Sequence, residues 1–353
     1  MPDTPPQPVT LRSFQFTLFL TGVLWIAAAG NVATHAAQGI ATRLNLPLCE
    51  DLLQQAFYLF LLLCGFAGIG WISTRNGGIR FNNALPNRAT TLQEWSRGAA
   101  LGWAMLLVAV LPMTFAGALH PQLSFTLSSW GLAALSFITL LLSSLALEIA
   151  FRGYIFRRLI DAVGTVFATF LQSLIYALYF SVFPHSTTFS TFVTFLTAVL
   201  FSMAYLRTHA LWLGWGLHFA WIASMGVLLG LPVCGLSTYT SLVDTTPGGP
   251  LWLTGGFYGP EGALLTAIFL SAAMIVLYRL TREYAWQYTH PTIIAAGYPM
   301  DIAPPKAHTD MEQAAAAKPA PLVQILSTTS TTSSTLPIID EHLRSTTKSD
   351  NDN

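Results

Sequence analysis

The chain has 353 residues, 53% of them hydrophobic and only 9% charged, with a mean hydropathy of +0.55. A soluble domain carries about 25% charged residues to keep its surface wet, so most of the outside of this chain is expected to face lipid. Sixteen basic and sixteen acidic residues cancel to zero formal net charge, which excludes the basic patch that a nucleic-acid partner requires.

Crossing ~30 Å of hydrocarbon takes about 20 apolar residues. Runs of that kind lie at 14–33, 53–73, 98–119, 130–158, 163–183, 187–206, 211–231 and 263–280. The first follows a start with Arg12 alone and lacks the short apolar region, basic start and cleavage site of a signal peptide. It reads as a retained helix. Lipid offers backbone N–H and C=O groups no other partner, so every span is expected to be helical. The fold class that follows is all-α, a polytopic bundle of about eight transmembrane helices over residues 1–284.

Arginines fall between alternate runs. Arg75, Arg80, Arg88 and Arg97 separate the second run from the third, and Arg157 and Arg158 the fourth from the fifth. Arg207 separates the sixth from the seventh, and Arg279 and Arg282 follow the eighth. The opposite loops hold only Arg43. The positive-inside rule then puts both termini in the cytoplasm. From about Ala285 the composition turns to Pro, Ala, Ser and Thr. Such a stretch buries too little apolar surface to offset its ordering entropy, so 285–353 is expected to be a disordered cytoplasmic tail. Of the three cysteines, Cys49 and Cys234 fall in loops on the outer side. A disulfide is possible there, and two unpaired thiols are the default.

Ionisable residues inside a span cost several kcal/mol and mark function by default. Glu148 is the only carboxylate within any of the eight runs, and Arg152 follows it four residues later on the same helix face. His218 lies in the seventh run, and His185 lies near the outer end of the fifth. The 1.5 Å rise per residue places Glu148 roughly 15 Å from Arg158 and His218 roughly 16 Å from Arg207, so the two can meet at one depth. His185, roughly 31 Å beyond Gly164, falls at the opposite surface. Two readings stand. Arg152 can simply neutralise Glu148 and hold the bundle together, or Glu148 can be a catalytic base with His218 as metal ligand or oxyanion donor.

The stretch Leu147-Glu148-Ile149-Ala150-Phe151-Arg152-Gly153 resembles the Glu-Glu-x-x-x-Arg motif of the CPBP family of membrane-embedded proteases. These are the CAAX prenyl proteases and the bacteriocin-processing, self-immunity proteins. The segment from Tyr205 to Trp221, with His218, resembles the one carrying the family's His-x-x-x-Asn motif. The segment from Trp252 to Gly262 resembles the glycine-rich stretch before the last helix. The resemblance covers about 95–282. It implies an intramembrane metalloendopeptidase acting on prenylated or other membrane-proximal peptides.

The departures are specific. Leu147 stands where the family has its first glutamate, and Ile222 where it has asparagine. Pro184 sets a register that puts Phe180 in the histidine slot of the second motif, Phe-x-x-x-His, with His185 as the other claimant. General-base catalysis needs a titratable group within reach of the water, and a catalytic metal needs about three protein ligands. The expectation is a degenerate member that keeps Glu148, Arg152 and His218, needs no cofactor, and binds lipid, a membrane-proximal or prenylated peptide, or a membrane protein. The rival is an active zinc-dependent peptidase using Glu148, His218 and a repositioned His185. A transporter is a third class, disfavoured by the lack of paired intramembrane charges or an inverted repeat. A bacterial plasma membrane is the expected location.

Overall fold

A computed structural model describes residues 9–75, 84–123 and 127–282. Arg80 and the tail from 285 lie outside the described residues. Helices α1 (Val9–Leu44), α2 (Glu50–Arg75), α3 (Thr91–Phe115), α4 (Leu127–Arg152), α5 (Tyr154–Val163), α6 (Thr165–Ser181), α7 (Thr188–Thr208) and α8 (Trp212–Ala223) follow one another, and a short α9 (Leu251–Thr254) precedes α10 (Leu264–Leu280). Among the described residues, five segments are long and apolar enough to cross a membrane: Leu11–Leu44, Pro47–Ser73, Thr91–Phe115, Ser129–Val163 and Thr188–Thr208. Three shorter apolar helices, Thr165–Ser181, Trp212–Leu228 and Leu264–Leu280, correspond to the remaining runs. Large apolar side chains stand outward along them, such as Leu24, Phe115, Val166 and Val182. The protein is an all-α integral membrane bundle.

Three features depart from the apolar runs. The fourth run is not one helix: it breaks at Gly153, where an added Cβ would collide with the Ile149 carbonyl oxygen. A second glycine, Gly164 at φ +87°, ends α5 in the left-handed region that only glycine adopts at little cost. Next, α3 begins before its run, at Thr91, so Glu94 enters its first turn fully buried, accepting 2.8 Å from Thr90 Oγ1. Glu148 is therefore not the only carboxylate in a spanning helix. Finally, the connections after α3 and α8 contribute strands β1 (Leu119–Leu123) and β2 (Val243–Pro247), paired antiparallel with Leu119 opposite Pro247.

The closest helix packing sets the position of α8. Gly98 and Gly102, four apart on α3, lie against the Leu213 and Leu217 carbonyls of α8, and Gly216 lies against the Trp95 carbonyl of α3. Small residues at such spacing let membrane helices approach backbone to backbone. A Cβ at any of the three would meet one of those carbonyl oxygens. Gly216→Val should therefore destabilise the protein by about 1–3 kcal/mol, the usual cost of overpacking. A detergent-resistance melt checks this, and an unchanged midpoint would mean that α3 and α8 are not held this closely.

Helix α1 packs antiparallel to α2. Trp25 lies over Gly65 and donates Nε1 to the Leu61 carbonyl at 3.0 Å. One turn further along α1, Gly30 faces Tyr58. Together they add a wall beside α4 and α5.

Candidate functional site

Glu148 and Arg152 lie one turn apart on α4, both buried, and Arg152 Nη1 donates to Glu148 Oε1 at 3.3 Å. His218, eleven residues after Arg207, comes to the same level from α8 and places Nδ1 3.0 Å from that same oxygen. Gly214, one turn earlier on α8, faces Glu148 Oε2 and leaves the space the carboxylate occupies. The helix register worked out from sequence spacing thus brings Glu148, Arg152 and His218 together.

The surroundings of Arg152 explain how a fully buried cation is held. Its guanidinium carbon sits 4.2 Å from the Tyr176 ring centroid and 5.0 Å from that of Phe201. Phe201 also stacks on the His218 ring at 4.8 Å. Desolvated cation–π contacts contribute on the order of 2 kcal/mol each. Nε and Nη2 of Arg152 find no hydrogen-bond partner among the described residues, so Glu148 is the anion on which this charge depends.

Leu147, Phe180, His218 and Ile222, brought from α4, α6 and α8, all line one cavity of ≈ 580 Å³. Helices α1 and α2 close its other side with Val23, Ile26, Gln54, Gln55 and Tyr58. Small-molecule sites range over about 300–1,000 Å³. Leu147 sits beside Glu148 in sequence but faces the cavity, whereas the Glu148 carboxylate faces Arg152 and His218. His185 is elsewhere. It is exposed, has left-handed backbone at φ +59°, lies tilted against the Phe257 ring at 5.5 Å between centroids, and lines neither cavity described here.

One residue carries more than its sequence context suggested. Glu261, in the glycine-rich stretch, accepts from Trp221 Nε1 at 3.0 Å on one oxygen. On the other it accepts from the Cys234 backbone N–H at 2.7 Å and from the Cys234 thiol at 2.9 Å. These bonds tie the loop after α8 to α8 itself, so Cys234 faces the large cavity. Burial first, then the Glu261 charge, pushes the Cys234 thiol well above its ordinary range, and it stays protonated. Burial likewise raises the Tyr258 hydroxyl. Cys49, Cys64 and Cys234 form no disulfide. A pocket of ≈ 20 Å³ between His218, Trp221, Cys234 and Glu261 lies behind that wall, about the size of one water. The signal for Glu261 was in the sequence: a carboxylate between Pro260 and Gly262 in otherwise apolar chain.

Residues 128–224 match the family model for type II CAAX prenyl endopeptidase, Rce1-like. The match contains Glu148, Arg152, Phe180, His218 and Ile222, and it is narrower than the 95–282 resemblance. No curated protein and no solved structure matches the chain. The chain is thus a membrane protein with a CAAX prenyl endopeptidase-like segment at its centre, and α1, α2, α3 and α10 lie outside the matched residues. A metal centre does not fit the donors of this Rce1-like site. Of the motif positions only Glu148 and His218 carry a ligating atom, fewer than the about three protein ligands that a catalytic metal needs, and no three His, Cys, Asp or Glu side chains among the described residues group to hold a metal ion.

Proposed function

We propose that this Rce1-like protein is a catalytically degenerate CPBP-type member that holds an apolar, membrane-embedded ligand in the α4–α6–α8 cavity without cutting it. The observation that carries the reading is the cavity wall. Leu147, Phe180 and Ile222 stand together where a hydrolytic site needs a base, a second imidazole and a carbonyl-type donor, and the nearby carboxylate is turned away toward Arg152 and His218. The face of Leu147, Phe180 and Ile222 desolvates no polar group on binding a chain and supplies no base of its own, and the imidazole beside it, His218, is held on Glu148 through Nδ1. The family's ligand class, a prenylated or other membrane-proximal peptide, supplies such a chain. The arginine distribution supports cytoplasmic termini, and a bacterial plasma membrane is the location proposed.

The test is equilibrium binding of a farnesylated peptide to the protein in nanodiscs. Saturable binding with recovery of the peptide at its full mass is expected. Enlarging Leu147 to Trp should weaken the binding by about tenfold or more, because a filled cavity removes the apolar burial that drives it. Binding that ignores Leu147→Trp would place the ligand elsewhere.

A further inference from the structure

The large cavity is not apolar throughout. Its α1–α2 side carries Asn31, Thr34, Gln54 and Gln55. The hairpin register puts them at one level: Trp25 meets Gly65 and Gly30 meets Tyr58, so the next turn brings Thr34 beside Gln54. The chemistry of the four is specific. Asn31 donates one amide N–H to the Ala27 carbonyl at 3.0 Å and keeps the other, and Thr34 spends its only hydroxyl proton on the Gly30 carbonyl at 3.0 Å. Thr34 therefore offers a ligand acceptor oxygen alone, and Asn31 offers its amide oxygen and one N–H. Gln54 and Gln55 make no hydrogen bond among the described residues, and each keeps both a donor and an acceptor. Among the described residues, no Asp, Glu, Lys or Arg lines the cavity. The Arg152 charge lies behind the wall on Glu148.

The cavity also opens sideways. Ala27 and Asn31 on α1 and Tyr179 on α6 line it and are themselves exposed. Tyr179 adjoins the outward apolar face of α6 that carries Leu178 and Val182. A ligand entering there comes from the bilayer, chain first.

We infer that the occupant is a bilayer lipid with an uncharged, hydrogen-bond-donating head, a hydroxyl or an amide, which Asn31, Thr34, Gln54 and Gln55 hold while its chain lies against Leu147, Phe180 and Ile222. A carboxylate or phosphate head brings only acceptors, so it leaves the Thr34 hydroxyl and the amide oxygens of the rim without a donor, and it finds no Lys or Arg on the described wall to offset its desolvation. A hydroxyl or amide donates to Asn31 and Thr34 and exchanges hydrogen bonds with the glutamines. This inference rests on the reading of the cavity as a site for an apolar chain.

The experiment compares a monoacylglycerol with the fatty acid of the same chain, both titrated onto the purified full chain in detergent and read by native mass spectrometry. The monoacylglycerol is expected to bind about tenfold tighter, the difference that one to two neutral hydrogen bonds make. The double change Gln54→Leu, Gln55→Leu should erase that preference while leaving chain binding in place, and Asn31→Leu, on the other helix, should reduce it independently. Equal binding of the two lipids, or tighter binding of the fatty acid, overturns the head assignment and leaves the cavity reading standing. If neither lipid binds, or if Leu147→Trp fails to weaken both, the cavity reading falls as well.

Discussion

Replacing Arg152 by Ala is expected to cost about 3–5 kcal/mol of stability, the range found when one member of a buried ion pair is removed. Arg152 and Glu148 are both about fully buried, 3.3 Å apart. Without the guanidinium, the Glu148 carboxylate either stays charged with only His218 beside it or takes up a proton and is neutral. The Tyr176 and Phe201 rings also lose the cation packed between them. Low accumulation in the membrane and a lower melting midpoint are the readouts. Changing both partners, Glu148→Gln with Arg152→Met, should be tolerated better than Arg152→Ala, because no charge is left stranded. Equal damage from the double change would mean that the pair does more than support the bundle.

The second large effect is a gain. Leu147→Glu, Phe180→His and Ile222→Asn together put a carboxylate, an imidazole and an amide on the cavity wall that already holds His218. Water activation and oxyanion stabilisation each supply roughly 10²–10⁴-fold in rate. The triple variant is therefore expected to cleave a prenylated peptide at a measurable rate where the parent chain does not, and each single change is expected to stay inactive. The outcome also separates the two registers of the second motif. Phe180 lines the cavity and His185 does not, so the double variant Leu147→Glu, Ile222→Asn, with Phe180 unchanged, should gain nothing.

Much of this was legible because it is local. The eight apolar runs correspond to helices because hydropathy and the absence of water leave the backbone one option. Glu148, Arg152 and His218 were placed at one depth by counting residues at 1.5 Å each, and the 3.0 Å contact between α4 and α8 agrees with that count. The same count set His185 apart. What stayed hidden depends on partners distant in sequence. Gly98 and Gly102 show the spacing of a close helix contact, but only the Leu213 and Leu217 carbonyls, more than a hundred residues away, say which helix they meet. Glu261 looked like part of a loop until Trp221 and Cys234 were seen to hold it. The break at Gly153 is hidden because apolar residues, Tyr154, Ile155 and Phe156, continue the run beyond it. The polar rim of the cavity needed two helices outside the matched segment to come together, and no pattern within either one announces that.

The most direct test of the central claim is turnover by the unaltered protein. The purified chain in nanodiscs is mixed with a farnesylated peptide, with and without added zinc, and both strands of the reaction are followed by mass spectrometry over many hours. The account predicts that the peptide is bound and recovered whole in both conditions, and that His218→Ala changes no rate. Cleavage that disappears on changing Glu148 or His218, in variants that still fold, would contradict it and make this site an active peptidase.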